Sequence, residues 1–208
     1  MSITPTKPMK LASGDRLTRA EFHRRYLASP KIKKAELVEG VVYVPFPVSA
    51  RHAEPHSWMI AWLGLYLSRQ PELRLHDNAT VTLDVDNEVQ PDACLWHEDP
   101  GGPRLNDDGY IEGPPQFVVE IAVSSASYDL HDKLRAYRRA GVREYIVWRV
   151  EDQAIDWLRL HEGAYTRVEP DTNGMIESSV FPGLRLAVAK MLSGDLAGVL
   201  TEVNRPAP

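Results

Sequence analysis

Two acidic residues in apolar segments, and one lysine that follows them, carry the chemistry that this sequence suggests. Asp92 follows Pro91 in VQPDACLW, Glu120 lies inside QFVVEIAV, and Lys133 belongs to the next helix-forming segment. Mg²⁺ binds hard oxygen ligands, is usually held by one or two carboxylates, and keeps several waters. A lysine beside such a water can orient it and stabilise negative charge on an attacked phosphate. The order of these residues therefore indicates metal-assisted attack on a phosphate group.

Each of the three residues also has an ordinary structural explanation. A carboxylate in a buried strand, as at Glu120, is costly unless it is paired, protonated or metal-bound, but an arginine or solvent at the strand end would satisfy it. Asp92 could be a turn aspartate that bonds nearby backbone groups. Lys133 could form a helical pair with Asp129, four residues earlier. Taken singly, the two acids favour these explanations, and only the order of all three favours a site.

The segments around the two acids predict strands. QFVVEIAV is almost continuously apolar, which is typical of a strand that is buried on both faces. Alternation along this strand places Val118, Glu120 and Ala122 on one face. Pro91 indicates an edge or a bulge in the strand that carries Asp92, and bulges often re-aim side chains near active sites.

The segment after the Glu120 strand, SSASYDLHDKLRAYRRAGV, predicts a helix. Leu130, Leu134 and Tyr137 form its apolar stripe, and Gly141 suits a left-handed stop at its end. Lys133 flanks this stripe near the start of the helix. Its long stem can lie along apolar surface while its ammonium group reaches past the end of the preceding strand.

The remaining pattern predicts one α/β domain with a mixed sheet. Thr18 and Glu21 form a capping-box pattern that opens a short helix, and a second helix follows Pro55 and ends by Pro71. The sequence predicts a hairpin over 36–44 that turns near Gly40, and strands at 80–85, 89–96, 144–150, 154–160 and around Tyr165. The loop over 97–115 could form an active-site rim. The segment FPGLRL and one C-terminal helix over 188–203 close the chain.

Composition and charge limit the classes of function. The chain has 208 residues and a net charge of −5, which argues against a general nucleic-acid coat. Residues 1–34 are basic, residues 35–128 are acidic and residues 129–149 are basic again, which suits a metal site beside a phosphate-tracking surface or, equally, solvated helix faces. The single cysteine, Cys94, excludes an internal disulfide. No apolar run long enough for a membrane span and no secretory signal are visible, so we expect a cytoplasmic protein.

The order Pro91-Asp92, Glu120, Lys133 resembles the PD-(D/E)XK nuclease superfamily and, more narrowly, a large bacterial family of restriction-endonuclease-like proteins. The segments that carry the resemblance are ELVEGVVYV, VQPDACLW, PPQFVVEIAVSSAS, YDLHDKLRAYRRAGVREYIVWRV and FPGLRL. The resemblance implies a restriction-endonuclease-like α/β core with a mixed β-sheet flanked by helices. It also implies an N-terminal arm with a short helix over 1–35 and a single nuclease-like domain over 36–203.

The site that the resemblance implies differs from the superfamily pattern in one respect. The lysine normally stands two residues after the second acid, a position occupied here by Ala122, so Lys133 on the following helix is the match. Asp92 and Glu120 would hold Mg²⁺, or Mn²⁺, the backbone carbonyl of Ile121 would add a ligand, and Lys133 would orient the attacking water.

Further candidates come from the same comparison of segments. Glu39, and less so Glu36, matches an early acidic position of the family that can complete the metal site. Gln90 could contact the metal-bound water or the scissile phosphate, and His52 could stand at the site entrance. A two-histidine metal motif with His56 is disfavoured, because proline between the two histidines opposes one regular helix across both.

The sequence supports two functions of different classes. The first is a Mg²⁺-dependent endonuclease that hydrolyses DNA phosphodiester bonds. The alternative is a catalytically silent module of the same fold that binds nucleic acid or a protein partner. A third hypothesis is a small-molecule hydrolase or a purely structural dimer. We expect no membrane association and a homodimer, since nucleases with one small domain often cut two strands as pairs.

Overall fold

The computed structural model describes residues 10–204, so most of the N-terminal arm assigned above lies within it and residues 1–9 lie outside. The helices are α1 (Arg19–Leu27), α2 (Ala50–Leu67), α3 (Ala126–Tyr128), α4 (Leu134–Ala140), α5 (Val188–Leu192) and α6 (Leu196–Asn204), with a π-helical turn at Asp129–Lys133. The strands are β1 (Glu36–Val38), β2 (Val41–Tyr43), β3 (Arg74–Asp77), β4 (Val81–Thr82), β5 (Glu88–Val89), β6 (Ala93–Trp96), β7 (Arg104–Leu105), β8 (Ile111–Glu112), β9 (Phe117–Ala122), β10 (Glu144–Arg149), β11 (Ala154–His161), β12 (Ala164–Arg167), β13 (Met175–Glu177) and β14 (Arg185–Ala187).

The larger sheet has the order β12-β11-β10-β9-β6-β3 and lies between two helical layers. Strands β9 and β10 are parallel, whereas the other neighbours in this sheet are antiparallel, so the sheet is mixed. Every residue of β9 is buried, because Val119 packs in a core with Trp62 of α2 while Val118 packs in a second core with Tyr137 of α4. The predicted mixed sheet flanked by helices is confirmed.

A second six-stranded sheet, with the order β2-β1-β5-β4-β8-β7, stands beside the first. Its β1–β2 hairpin turns through Glu39 and Gly40, both with positive φ, as the tight turn of a twisted hairpin requires. Helix α1 begins after Thr18, whose hydroxyl accepts a hydrogen bond from the Glu21 amide, and buries Phe22 in a cluster with Leu37. The predicted capped helix and hairpin are both observed.

Helix α2 begins earlier than predicted. The sequence predicts that this helix begins after Pro55, whereas in the structure it begins at Ala50 and contains Pro55. A proline inside a helix removes its own amide hydrogen bond, here the one to the carbonyl of Arg51, and its ring crowds that carbonyl. The helix nevertheless continues to Leu67, because its apolar face is buried. His52 and His56 therefore lie on one helix, contrary to the expectation.

The C-terminal region also departs from the prediction. The single helix expected over 188–203 is divided into α5 and α6 by Gly194, which has φ +80°. A side chain at this position would be strained by that φ, and its first carbon would lie 3.1 Å from the Trp58 ring. Strands β3, β7, β8, β13 and β14 were not predicted, and all of them are short or exposed. Among residues 10–204, no helix has the length and apolarity for crossing a bilayer.

Candidate active site

Asp92 and Glu120 meet at the junction of β6 and β9. Asp92 directly precedes β6, and its Oδ2 accepts a 2.8 Å hydrogen bond from the backbone N–H of Ile121, the residue after Glu120. Only 2% of Asp92 and 3% of Glu120 is exposed. Because the N–H and C=O of a strand residue point toward the same neighbour, the Ile121 carbonyl also faces the Asp92 side. The three predicted metal ligands are therefore adjacent.

The Asp92 carboxylate is held in its ionised form. Lys34 Nζ lies 3.2 Å from Oδ1, and His52 Nε2 lies 3.1 Å from Oδ2. Burial alone would raise the pKa of Asp92, but His52, Lys34 and the Ile121 N–H together hold it well below its ordinary value. Asp92 therefore offers a negatively charged oxygen pair at neutral pH.

Glu120 and Lys133 form a buried ion pair. Lys133 Nζ is 2.7 Å from Glu120 Oε1, and the Tyr137 hydroxyl donates a 2.8 Å hydrogen bond to the same oxygen. No described residue donates a hydrogen bond to the second oxygen of Glu120, Oε2. Burial raises the pKa of Glu120 despite the opposing effect of Lys133, and the charge of Asp92 raises it further. One carboxylate oxygen is thus anchored and the other is available to a ligand.

Glu36 and Asp129 extend the cluster on the Lys133 side. Glu36 Oε1 lies 2.8 Å from Lys133 Nζ and accepts the backbone N–H of Gln90 at 2.7 Å. Asp129 lies 3.9 Å from Lys133 and accepts the Ser125 hydroxyl at 2.6 Å. Burial lowers the pKa of Lys133, but Glu120, Glu36 and Asp129 raise it above its ordinary value. Lys133 is therefore a permanent cation at neutral pH.

The cluster contains more acids than lysines. Its acids are Glu36, Asp92, Glu120 and Asp129, and its lysines are Lys34 and Lys133. Burial and the neighbouring acids raise the pKa values of Glu120 and Asp129, so a cation is needed to hold all four acids in their charged forms. Hard carboxylate and carbonyl oxygens are the ligands that Mg²⁺ prefers. The donor set therefore fits a divalent cation of this type.

The cluster does not form a complete protein cage for a metal. No group of three or more His, Cys, Asp or Glu side chains within residues 10–204 is arranged to hold an ion by itself. Mg²⁺ does not need such a cage, because it retains several waters and takes one or two carboxylates. Zinc, which is usually held by three or four protein ligands, fits these residues less well.

A π-helical turn positions Lys133. The turn spans Asp129–Lys133, between α3 and α4. In a π-turn each hydrogen bond reaches one residue farther than in an α-helix, and such turns often occur at functional sites. Ala122, where the superfamily pattern has its lysine, is buried in the core. The ammonium group thus reaches Glu120 from the helix rather than from the strand.

Two predicted site residues are not brought into the cluster. Glu39 lies in the hairpin turn and pairs with Arg135 at 3.3 Å and Arg139 at 3.1 Å, because the turn directs it away from the strand that carries Glu36. The other is Gln90, whose side-chain amide donates to the hydroxyls of Tyr26 and Thr80. Glu36 therefore takes the place expected for Glu39, and Gln90 contributes its backbone only.

The two histidines of α2 both contact Asp92. His52 Nε2 approaches the carboxylate, and His56 Nε2 lies 2.8 Å from the Asp92 carbonyl oxygen. Proline between them does not separate them, so the expectation that one regular helix cannot cover both was wrong. They hold the carboxylate and the backbone of Asp92 rather than forming a metal pair. His52 Nδ1 is buried and has no hydrogen-bond partner among the described residues.

Sequence reasoning missed three members of the site: Lys34, Asp129 and Tyr137. The spacing of Asp129, Lys133 and Tyr137, four residues apart, would place them on one helical face and could have identified two of the three. Lys34 lies in the segment assigned to the N-terminal arm, and no local pattern distinguishes it from Lys31 and Lys33.

Comparison with known proteins provides a family and a fold. The profile of the family Uma2, described as "Putative restriction endonuclease", matches residues 19–189. A solved structure, described as a putative nuclease belonging to DUF820 from Anabaena variabilis ATCC 29413, superposes with a TM-score of 0.62 at 14% identity. The match covers 76% of this chain and 89% of that chain. No curated protein gives a significant match.

Proposed function

The chain belongs to the Uma2 family, and we propose that it is a Mg²⁺-dependent endonuclease that hydrolyses phosphodiester bonds in DNA. One observation carries the proposal: Glu120, 2.7 Å from the Lys133 ammonium, stands directly beside the backbone group that holds Asp92. An ion pair with a purely structural role would not need a second buried acid at the same place. The family description supports nuclease chemistry, and the surplus of acids over lysines in the cluster supports a divalent cation.

The residues divide the chemistry between them. Asp92, Glu120 and the Ile121 carbonyl would hold Mg²⁺, which supplies Lewis-acid polarisation of a phosphate oxygen and of a water when bound. His52 fixes one oxygen of Asp92, and Tyr137 fixes one oxygen of Glu120. These contacts fix the orientation of the two carboxylates before a metal binds, which reduces the entropy cost of assembling the site.

Lys133 serves as an electrostatic group. Because its pKa lies above the ordinary lysine value, its ammonium keeps its protons and does not act as a general base. It can donate a hydrogen bond to the attacking water or to a phosphate oxygen as negative charge develops. Glu36 and Glu120 hold the ammonium in place for this contact.

Basic side chains near the site support a nucleic-acid substrate. Lys34 reaches Asp92 from the segment 31–34, and Lys31 and Lys33 in the same segment are exposed. Contacts between lysine side chains and phosphate groups contribute most of the sequence-independent affinity of proteins for DNA. We further propose that the active unit is a homodimer, which light scattering of the purified protein would check.

The test is cleavage of supercoiled plasmid and of single-stranded DNA and RNA in Mg²⁺ or Mn²⁺, with EDTA as the metal-free condition. Asp92→Ala, Glu120→Ala and Lys133→Ala should each abolish cutting. Glu144→Gln is the matched control, because Glu144 is a fully buried acid of the neighbouring strand β10 outside the cluster. Equal cutting by wild type and the triple variant would overturn the proposal, and preferential cutting of RNA would reassign the substrate.

A further inference from the structure

Tyr128 has the one tyrosine hydroxyl of the site that the described part of the protein leaves without a partner. This hydroxyl is buried and forms no hydrogen bond within residues 10–204. Six other tyrosine hydroxyls donate hydrogen bonds to carbonyls or carboxylates, namely those of Tyr26, Tyr43, Tyr66, Tyr137, Tyr145 and Tyr165. The fold therefore satisfies tyrosine hydroxyls as a rule, and the exception lies beside the acidic cluster.

Tyr128 lies beside the cluster. It is the last residue of α3, immediately before the π-helical turn. Its ring packs against the tilted ring of Tyr43 with 4.1 Å between ring centres, and Lys133 Nζ lies 5.6 Å from the ring centre. Burial raises the pKa of the Tyr128 hydroxyl, and the nearby charges of Glu36 and Glu120 raise it further. The hydroxyl therefore stays protonated and acts as a donor.

A buried donor without an acceptor is unfavourable, and natural proteins retain few of them. The partner must be an acceptor, so it cannot be the metal cation itself. It must also enter a region where the acidic side chains are already engaged with Lys133. An oxygen of a substrate held by the metal and by Lys133 meets both conditions.

We propose that the Tyr128 hydroxyl donates a hydrogen bond to a phosphate oxygen of the nucleic-acid substrate, beside the Lys133 ammonium. This proposal rests on the proposed function, because it uses the same site and the same substrate. It makes Tyr128 a substrate-contacting residue whose hydroxyl has no role in the free protein. A hydroxyl with a structural role would show the opposite behaviour.

The experiment compares Tyr128→Phe with Tyr165→Phe. The Tyr165 hydroxyl is the matched control, since it donates a 2.8 Å hydrogen bond to the Val142 carbonyl, away from the cluster. Thermal unfolding is measured without metal or nucleic acid. Single-turnover cleavage and binding of a fluorescent oligonucleotide are then measured in Mg²⁺, together with the Mg²⁺ concentration that gives half-maximal stabilisation.

The two variants should differ in both melting temperature and cleavage rate. Tyr128→Phe should melt at or above the wild-type temperature and cleave about 10- to 100-fold more slowly, as expected for loss of a hydrogen bond to a charged group. Tyr165→Phe should melt lower and, when folded, cleave at the wild-type rate.

Other outcomes are equally informative. A lower melting temperature for Tyr128→Phe, or a wild-type cleavage rate, would overturn the proposal while leaving the nuclease function standing. A weaker response to Mg²⁺ with unchanged cleavage at saturating metal would assign the hydroxyl to a metal-bound water and also overturn it. If the wild type binds the oligonucleotide without cutting it and Tyr128→Phe binds it more weakly, the contact stands and the catalytic function fails. Absence of both binding and cutting by the wild type overturns both.

Discussion

Two buried acids on adjacent strands, Glu144 and Glu120, show how differently this fold treats a carboxylate. Glu144 stands at the start of β10 opposite Phe117, and Glu120 stands near the end of β9 opposite Val147. Both are almost completely excluded from solvent. In the sequence Glu120 lies inside an apolar run and Glu144 directly precedes one. Their surroundings in the fold make the difference.

Glu144 is fully satisfied by neighbouring groups. Its Oε1 accepts hydrogen bonds from Arg159 and from the backbone and hydroxyl of Ser179, and its Oε2 accepts the Ser178 hydroxyl at 2.5 Å. Glu120 has two donors on one oxygen and none on the other, and two further acids, Glu36 and Asp129, contact its lysine partner. A structural acid is thus neutralised locally, whereas the acid of the candidate site is left with capacity for a ligand.

The strongest test of this contrast exchanges each acid for its amide. Glu120→Gln should reduce cleavage by about 10³-fold, because a metal ligand and the partner of Lys133 are lost together. Glu144→Gln should leave cleavage within about threefold but lower the free energy of unfolding by about 2 kcal/mol, because buried donors lose their acceptor. Single-turnover kinetics and urea unfolding measure the two effects. Equal loss of activity in both variants would remove the distinction.

Metal binding should sharpen the contrast further. Mg²⁺ at about 100 times its dissociation constant should stabilise the wild type by about 2.7 kcal/mol, since it binds only the folded protein. Asp92→Asn should lose most of this gain, while Glu144→Gln should keep it despite its lower starting stability. Urea unfolding with and without Mg²⁺ gives the gain directly, and an equal gain in Asp92→Asn would place the metal elsewhere.

The pH dependence of stability should reflect the raised pKa of Glu120. The pKa of Glu120 is raised in the folded protein, whereas in the unfolded chain it is about 4.3. The free energy of unfolding therefore falls as pH rises above about 4.3, because the unfolded chain releases this proton first. Without metal, the free energy of unfolding of Glu120→Gln should therefore rise relative to that of the wild type by about 1 kcal/mol or more between about pH 5 and pH 8. Parallel stability curves for the two proteins over this range would contradict the raised pKa.

The smallest effect is expected at Glu39, the acid that the sequence comparison favoured over Glu36. Glu39→Ala should leave cleavage unchanged and alter the melting temperature by less than about 2 °C, because its pairs with Arg135 and Arg139 are partly exposed. Glu36→Gln should reduce cleavage, because it holds the Lys133 ammonium. The reverse result would restore the original assignment.

Local signals in the sequence predicted much of the fold. The capping residues Thr18 and Glu21, the turn at Gly40 and the apolar run around Glu120 each specify their element through neighbours in the chain. The division of the last helix at Gly194 had a local signal that the prediction did not use, since glycine is a common left-handed helix stop, as at Gly141. The start of α2 ahead of Pro55 was missed because the residues before the proline are mostly exposed, and His52 among them contacts Asp92, 40 positions along the chain.

The candidate site was predictable only in part. Asp92, Glu120 and Lys133 came from their order along the chain, which the family resemblance made specific. Glu36 and Glu39 could not be separated by sequence, because the difference between them is the direction of a two-residue turn. Lys34 reaches Asp92 across 58 positions of the chain, and no local pattern reports a contact of that range.

The π-helical turn has a consequence for how the chain can vary in length. Deletion of one residue within Asp129–Lys133 would convert the turn to an ordinary α-helix and rotate the flanking residues by about 100° relative to each other. Lys133 and Asp129 would then no longer share the Glu120 side, even if both residues were retained. Related chains with the same site are therefore expected to differ in residue identity along this stretch far more readily than in the number of residues it contains.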